Sequence, residues 1–272
     1  MRVHHLNCGS MRTLPPVDDS TSPERIVCHC LLIETDADGL VLVETGIGLG
    51  DVEHPRESLG ADFLAFAEPV LDAGETAVRQ VARLGFSPAD VRHIAVTHLH
   101  RDHAGGLPDF PHARVHLHEA EYRAATDPGD EYHAYGVEHF SEPQRAHGPR
   151  WAPARPDGSW FGLPAARLEG LPDDILLIPL TGHTPGHSGV AVRTADRWLL
   201  HAGDAYFYQG EIEADPPVSH PLLDLVQENA QADRDLRLET LHRLRALRRE
   251  HGGEVEIFSA HDPWEFRRQP HL

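Results

Sequence analysis

The sequence predicts an α/β protein in which sheets pack against one another and helices lie outside. Strand-like runs come in two batches, each followed by helical periodicity, and no linker divides the 272 residues into separable units. A composition of 40% hydrophobic and 25% charged residues is that of a globular chain able to bury a sizeable core. The expectation is therefore one domain over residues 1–272.

Each element has its local reason. Residues 3–6 and 26–35 read as strands, and 39–44 follows as a hairpin partner because Asp36-Ala37-Asp38-Gly39 supplies turn chemistry. Cys28-His29-Cys30 has the look of a metal clip. It lies in an alternating apolar run, however, where cysteine acts as a small buried hydrophobe, so it is read as strand. Residues 46–73 are polar and rich in turn formers, with an apolar patch at 63–66. Residues 76–84 carry Val78, Val81, Ala82 and Leu84 near one face of a helix that ends at Gly85. Strands are expected at 93–97 and 114–118, and a short helix at 119–125. Residues 126–171 show no clear period and hold Tyr132, Tyr135, Phe140, Trp151, Trp160 and Phe161, so they are read as an ordered insertion covering a substrate. Three strands follow, at 175–180, 188–194 and 197–201. The helix at 233–250 presents Leu236, Leu241, Leu244 and Leu247 as a stripe, with arginines elsewhere as a solvated face, and Gly252-Gly253 ends it. A strand at 254–260 closes the pattern.

Composition removes several functions. The chain has 22 histidines and no lysine, which excludes Schiff-base chemistry and a phosphate loop ending in Gly-Lys. A formal charge of -19 opposes nucleic acid and anionic membrane as partners. No apolar run suits a signal peptide or a membrane span. Three cysteines make no disulfide framework, so a cytoplasmic protein with a small-molecule substrate is expected, with a homodimer left open.

The chemistry concentrates in His98-Leu99-His100-Arg101-Asp102-His103, directly after the strand at 93–97. In an extended segment His98 and His100 point the same way, and Asp102 and His103 fall where the chain turns, with Gly105-Gly106 allowing a tight fold. Such a loop can offer ligands to two neighbouring cations but cannot complete either site. Further donors stand just after other strands: His183 in Gly-His-Thr-Pro-Gly-His, Asp204 in His-Ala-Gly-Asp, and His261 in Ala-His-Asp.

In identity and order these residues resemble the metallo-β-lactamase superfamily, over nearly the whole chain. The resemblance implies an αβ/βα four-layer sandwich with a dinuclear site at one edge. It implies His98, His100 and His183 on one metal, Asp102, His103 and His261 on the other, and Asp204 bridging them. The cofactors would be two divalent ions, zinc ahead of iron or manganese. Glu44-Thr45-Gly46 stands where the family usually has Asp-Thr-Gly, a supporting carboxylate. Asp204 at the bridging position departs from true zinc β-lactamases. His100 departs from the diiron flavoproteins, and the acidic charge departs from nuclease branches.

The pattern is most similar to that of N-acyl-homoserine lactonases. It shares Gly-Phe-Ser-Pro-Ala-Asp at 85–90, Glu119-x-Glu121-Tyr122, and His261-Asp262. Those lactonases usually carry a catalytic tyrosine three residues after the bridging aspartate; here that residue is Phe207, flanked by Tyr206 and Tyr208. Either tyrosine is then a candidate oxyanion donor, with core packing as the competing role. The implied reaction is attack of a metal-bridging hydroxide on a lactone, ester or thioester carbonyl, two metals about 3.5–4 Å apart lowering the water's pKa. Asp102 would ligate and orient that nucleophile. A glyoxalase II-like thioesterase and a mononuclear-iron persulfide dioxygenase are the alternatives. Substrate choice is assigned to residues 126–171 and the Pro-rich loop 213–221.

Overall fold

The computed structural model describes residues 1–17, 22–35 and 39–270. The turn expected at residues 36–39 falls, except for Gly39, outside them. One sheet consists of β1 (Arg2–Leu14), β2 (Glu24–Glu34), β3 (Leu40–Val43), β4 (Val91–Ala95), β5 (Arg114–His118) and β6 (Arg150–Ala154), side by side in chain order. The other consists of β7 (Gly158–Trp160), β8 (Leu163–Arg167), β9 (Ile175–Pro179), β10 (Ser188–Arg193), β11 (Trp198–His201) and β12 (Val255–Phe258), again in chain order. Pairing is antiparallel from β1 to β3 and parallel from β3 to β6. In the second sheet it is antiparallel throughout except for the parallel pair β11–β12.

The apolar runs explain why the sheets face one another. In β3 the sequence Leu-Val-Leu-Val is buried on both faces. Val41 and Val43 join Leu31, Ile33 and Ala95 against Leu177, Val190 and Val192 of the opposite sheet, which makes the central core. Leu40 and Leu42 turn outward and pack with Ala77 and Val81 of the helix Ala77–Arg83. On the far side Ile178, Leu200 and Ile257 pack against Leu244 and Leu247 of the helix Arg234–His251. Helix, sheet, sheet and helix are the four layers. Two-sided burial is what continuous apolar strands require.

Several expectations are refined. Leu236 is exposed, and the inward stripe of its helix runs Arg237, Thr240, Leu244 and Leu247, the spacing a 3.6-residue period demands. Arg237 is accordingly one arginine of that helix that leaves the solvated face; its Nε donates to Gln231 Oε1. Segment 126–171 divides. Only its first part covers the site, as the helix His133–His139, whereas β6 to β8 add strands to both sheets. Their short, Pro-interrupted sequences hide the alternation. The Pro-rich loop expected at 213–221 leads into the helix Pro221–Ala230, with Pro221 in its first turn and His220 capping it. No helix among the described residues is long and apolar enough to cross a membrane.

Candidate metal centre

The turns after β4, β9, β11 and β12 converge at one edge of the sandwich and bring the expected ligands together. Ser188 N donates to Thr97 O and His29 N to Ala260 O, so backbone bonds stitch the two sheets at this edge. The His98–His103 segment leaves β4 extended and enters a single helical turn, Arg101–Ala104, which directs Asp102 and His103 to the same side. Gly105 is required by close approach, because a Cβ there would stand 2.1 Å from Asp51 Oδ2. Gly182 serves the His183 loop similarly: its φ is +125° and a Cβ would meet Arg237 N at 2.2 Å.

Two donor sets face Asp204. Its Oδ2 lies 3.2 Å from His183 Nε2 and 3.7 Å from His98 Nε2, and His183 Nε2 is 3.1 Å from His100 Nδ1. Its Oδ1 lies 3.3 Å from both His103 Nε2 and His261 Nε2, which are 3.1 Å apart. Asp102 Oδ2 is 3.5 Å from His261 Nε2. Asp204 Oδ1 and His98 Nε2 are buried without a hydrogen-bond partner. Ring nitrogens and carboxylate oxygens converging at ligand spacing, with orphaned buried atoms among them, fit cations far better than hydrogen bonds.

The outward atoms of these ligands are held in place. His100 Nε2 donates to Tyr135 Oη at 2.8 Å, and His261 Nδ1 donates to Val27 O at 2.8 Å. His103 Nδ1 donates to Glu44 Oε2 at 3.1 Å, while Glu44 Oε1 accepts from Thr97 N. The glutamate thus reaches the supporting position with its longer arm, from a backbone φ of 65° that is strained for a non-glycine residue. His187 Nδ1 donates to Leu180 O at 2.7 Å and its Nε2 accepts from Asp204 N at 2.9 Å, so a neutral imidazole fixes the backbone of the central aspartate. Burial lowers His187 to about 3, which keeps that acceptor available.

Electrostatics divide the two sets. Burial, reinforced by neighbouring histidines, pushes His98 and His100 well below the usual imidazole range. Burial acts the same way on His103 and His261, but Asp204 and the other carboxylates beside them outweigh it and raise both. Burial alone would raise Asp204; His261, His103, His183 and His98 overcome it and hold the carboxyl well below its usual range.

Neither tyrosine after Asp204 reaches this cluster. Tyr206 is fully buried in the outer core and donates to Glu265 at 2.8 Å. Tyr208 packs edge-on to Trp264, outside the residues that line the cavity. Phe207 lies between them and faces the site, edge-on to His183 and His261. Glu211, in the helical turn Gly210–Glu213 that follows, accepts from Phe207 N and Tyr208 N and so fixes the backbone of this segment.

The phenol that does reach the site is Tyr135, from the segment without period. Its Oη donates to Ala230 O at 2.8 Å, joining the helices His133–His139 and Pro221–Ala230 over His100. Only its aromatic character marked it in the sequence. Tyr135→Phe should weaken cation binding at the His98–His100–His183 set about 10–100-fold while costing about 1 kcal/mol of stability. Titration with zinc against a competing chelator, beside urea unfolding, checks both.

A cavity of about 770 Å³ opens onto His100, Asp102, His183, Asp204 and His261. Its far wall is apolar, with Met11, Leu14, Phe63, Leu223 and Val226.

A sandwich carrying paired His/Asp donor sets at its edge defines a class of metal-dependent enzymes. The chain belongs to the metallo-β-lactamase superfamily, whose family model matches residues 24–250. A probable metallo-hydrolase of Mycobacterium tuberculosis is 38% identical over 272 residues, covering 97% of this chain and 81% of the relative. An N-acyl homoserine lactonase of Bacillus cereus is 28% identical over 189 residues, covering 69% and 67% respectively. The fold also matches a solved N-acyl homoserine lactone hydrolase with N-hexanoyl-L-homoserine bound at its catalytic metal centre. There the TM-score is 0.67 and the identity 22%, over 99% of this chain and 96% of that one.

Proposed function

We propose that this metal-dependent hydrolase opens a lactone ring bearing an apolar acyl chain, at two divalent cations, zinc foremost. The observation that carries the reading is Asp204, whose two oxygens face two separate donor sets beside a largely apolar cavity that it helps to line. The similarity to proteins named N-acyl homoserine lactonases supports the choice of substrate. His98, His100 and His183 would hold one cation; Asp102, His103 and His261 the other, with Asp204 shared. Bound there, the cations supply Lewis acidity toward a carbonyl oxygen and lower the pKa of water.

The chain's own residues supply the rest. Asp102 is partly exposed to the cavity, which suits a carboxylate that accepts a proton from an incoming water while its other oxygen stays with His261. Apolar side chains on the helix Pro221–Ala230 and around Phe63 would take the acyl chain, in place of the expected loop 213–221. Phe207 closes the site beside His183 with a ring that excludes water and donates nothing.

The test is a pH-indicator assay of zinc-loaded protein on lactones of increasing acyl length, with simple esters and thioesters beside them. Lactone opening should improve with chain length, vanish on chelation and return with zinc. A zinc-replete protein that cleaves thioesters but no lactone overturns the substrate, and one that cleaves none overturns the hydrolytic reading.

A further inference from the structure

We propose that Cys28 is a thiolate ligand of the second cation, beside Asp102 and His261. The proposal rests on the two-cation reading above and extends it with a donor from a different strand. Cys28 Sγ, a carboxylate oxygen of Asp102 and a ring nitrogen of His261 lie within 4.8 Å of one another. The placement follows from β2. Val27 O accepts from His261 Nδ1, so this strand already fixes the orientation of His261, and the next residue, Cys28, is buried within reach of Asp102 and His261. Cys28 N donates to Asn7 Oδ1 at 3.1 Å, which anchors the backbone there.

Cys28 and Cys30 share a face of β2, and position along the strand separates them. Cys28 packs with Met11, Ile26 and Phe207 at the site end, and Ile26 itself lines the cavity. Cys8 and Cys30 lie in the apolar layer under the helix Ala77–Arg83, with Leu6 and Leu42. The strand reading of Cys28-His29-Cys30 is therefore correct for the backbone, and the tertiary fold adds a role for Cys28 alone. A second observation points to a ligand beside this group. Asp204 Oδ1 is buried without a hydrogen-bond partner, 3.3 Å from His261 Nε2, in the neighbouring His103–Asp204–His261 set, which shares His261 with the Cys28 group and so carries an orphaned acceptor on the other side of that imidazole.

Coordination replaces the S–H proton with the cation and releases that proton to solvent. Thiolate beside carboxylate and imidazole makes the second set softer than the all-histidine side of the site. It favours zinc, cobalt or cadmium over manganese.

The experiment uses the full chain loaded with two equivalents of Co²⁺. A near-ultraviolet thiolate-to-cobalt charge-transfer band is expected, lost in Cys28→Ser and retained in Cys8→Ala and Cys30→Ala. Cys28→Ser should also weaken binding of the second equivalent by about tenfold or more. X-ray absorption of the zinc-loaded wild type needs no variant and should show a sulfur scatterer at about 2.3 Å. Two bound metals with neither band nor sulfur scatterer overturn the thiolate ligand and leave the two-cation reading standing. A band that persists in Cys28→Ser overturns it equally. Failure to bind two metals overturns both.

Discussion

Asp204→Asn should cost more than about 100-fold in turnover and release at least one cation, while the sandwich remains folded. The carboxylate is 3% exposed and has both oxygens committed, one to the His98–His100–His183 set and one to the His103–His261 set. An amide keeps the shape but removes the negative charge and one of the two oxygens that face the donor sets. Metal content by mass spectrometry and initial rates on the same preparation test this directly. A variant with full metal content and wild-type rate would remove Asp204 from the centre.

The same geometry predicts a pH signature. His103 and His261 are raised by Asp204 and its neighbours, so in the cation-free protein protons bind where the second cation would. Their stabilising effect is present below the ordinary imidazole pKa and is lost as pH rises through the raised values. Cation uptake must displace those protons, whereas His98 and His100 are already neutral. Affinity for the second equivalent should therefore rise more steeply with pH than affinity for the first. Calorimetry in buffers of different ionisation heat reads the proton release. Equal slopes would contradict the division.

Glu121→Ala should destabilise the protein by about 3–5 kcal/mol in urea unfolding. The side chain is completely buried and accepts from Leu99 N at 2.9 Å, Gly186 N at 3.0 Å and the Thr184 hydroxyl at 2.6 Å. It is a clamp between the loop of His98 and His100 and the loop of His183. Alanine strands two buried N–H groups, and slippage between the loops of about 1 Å would cost about 100-fold in rate. Glutamine offers a single acceptor oxygen and places an amide among donors, so it should recover only part of the loss.

Burial raises Glu121 to about 7 from 4.5, against the hydrogen bonds from Thr184, Leu99 and Gly186. The native state thus keeps its proton where the unfolded chain has lost it. Stability from this group is highest below 4.5 and falls as pH climbs toward 7. The wild-type advantage over Glu121→Gln should shrink across that window, and an advantage that grows with pH would contradict the burial argument.

How much of this was legible in the sequence depended on the kind of signal. The ligand loop was legible because His98, His100, Asp102 and His103 are close in the chain and follow a strand. His183, Asp204 and His261 were legible because each sits in a short turn after a strand, where open-sheet proteins gather their sites. Packed sheets with helices outside were legible in two batches of strands, each followed by helices, and the four-layer sandwich in the family resemblance. Tyr206 and Tyr208 were misplaced as donors because their neighbourhood to Asp204 is sequential, while the turn after it decides where phenols point. Tyr135 contacts His100 from 35 residues away, and no local pattern announces that contact.

The sequence by itself therefore determined the layered α/β class, the candidate donor residues and the chemistry barred to a chain without lysine. Those properties reside in residue type and near-neighbour spacing. Only the tertiary structure decided which oxygen of Asp204 faces which imidazoles, that Glu121 clamps two loops, and that Cys28 stands at the second donor set. It also decided that β6 to β8 complete the sheets. These are contacts between segments far apart in the chain, and their geometry exists only once both sheets have packed.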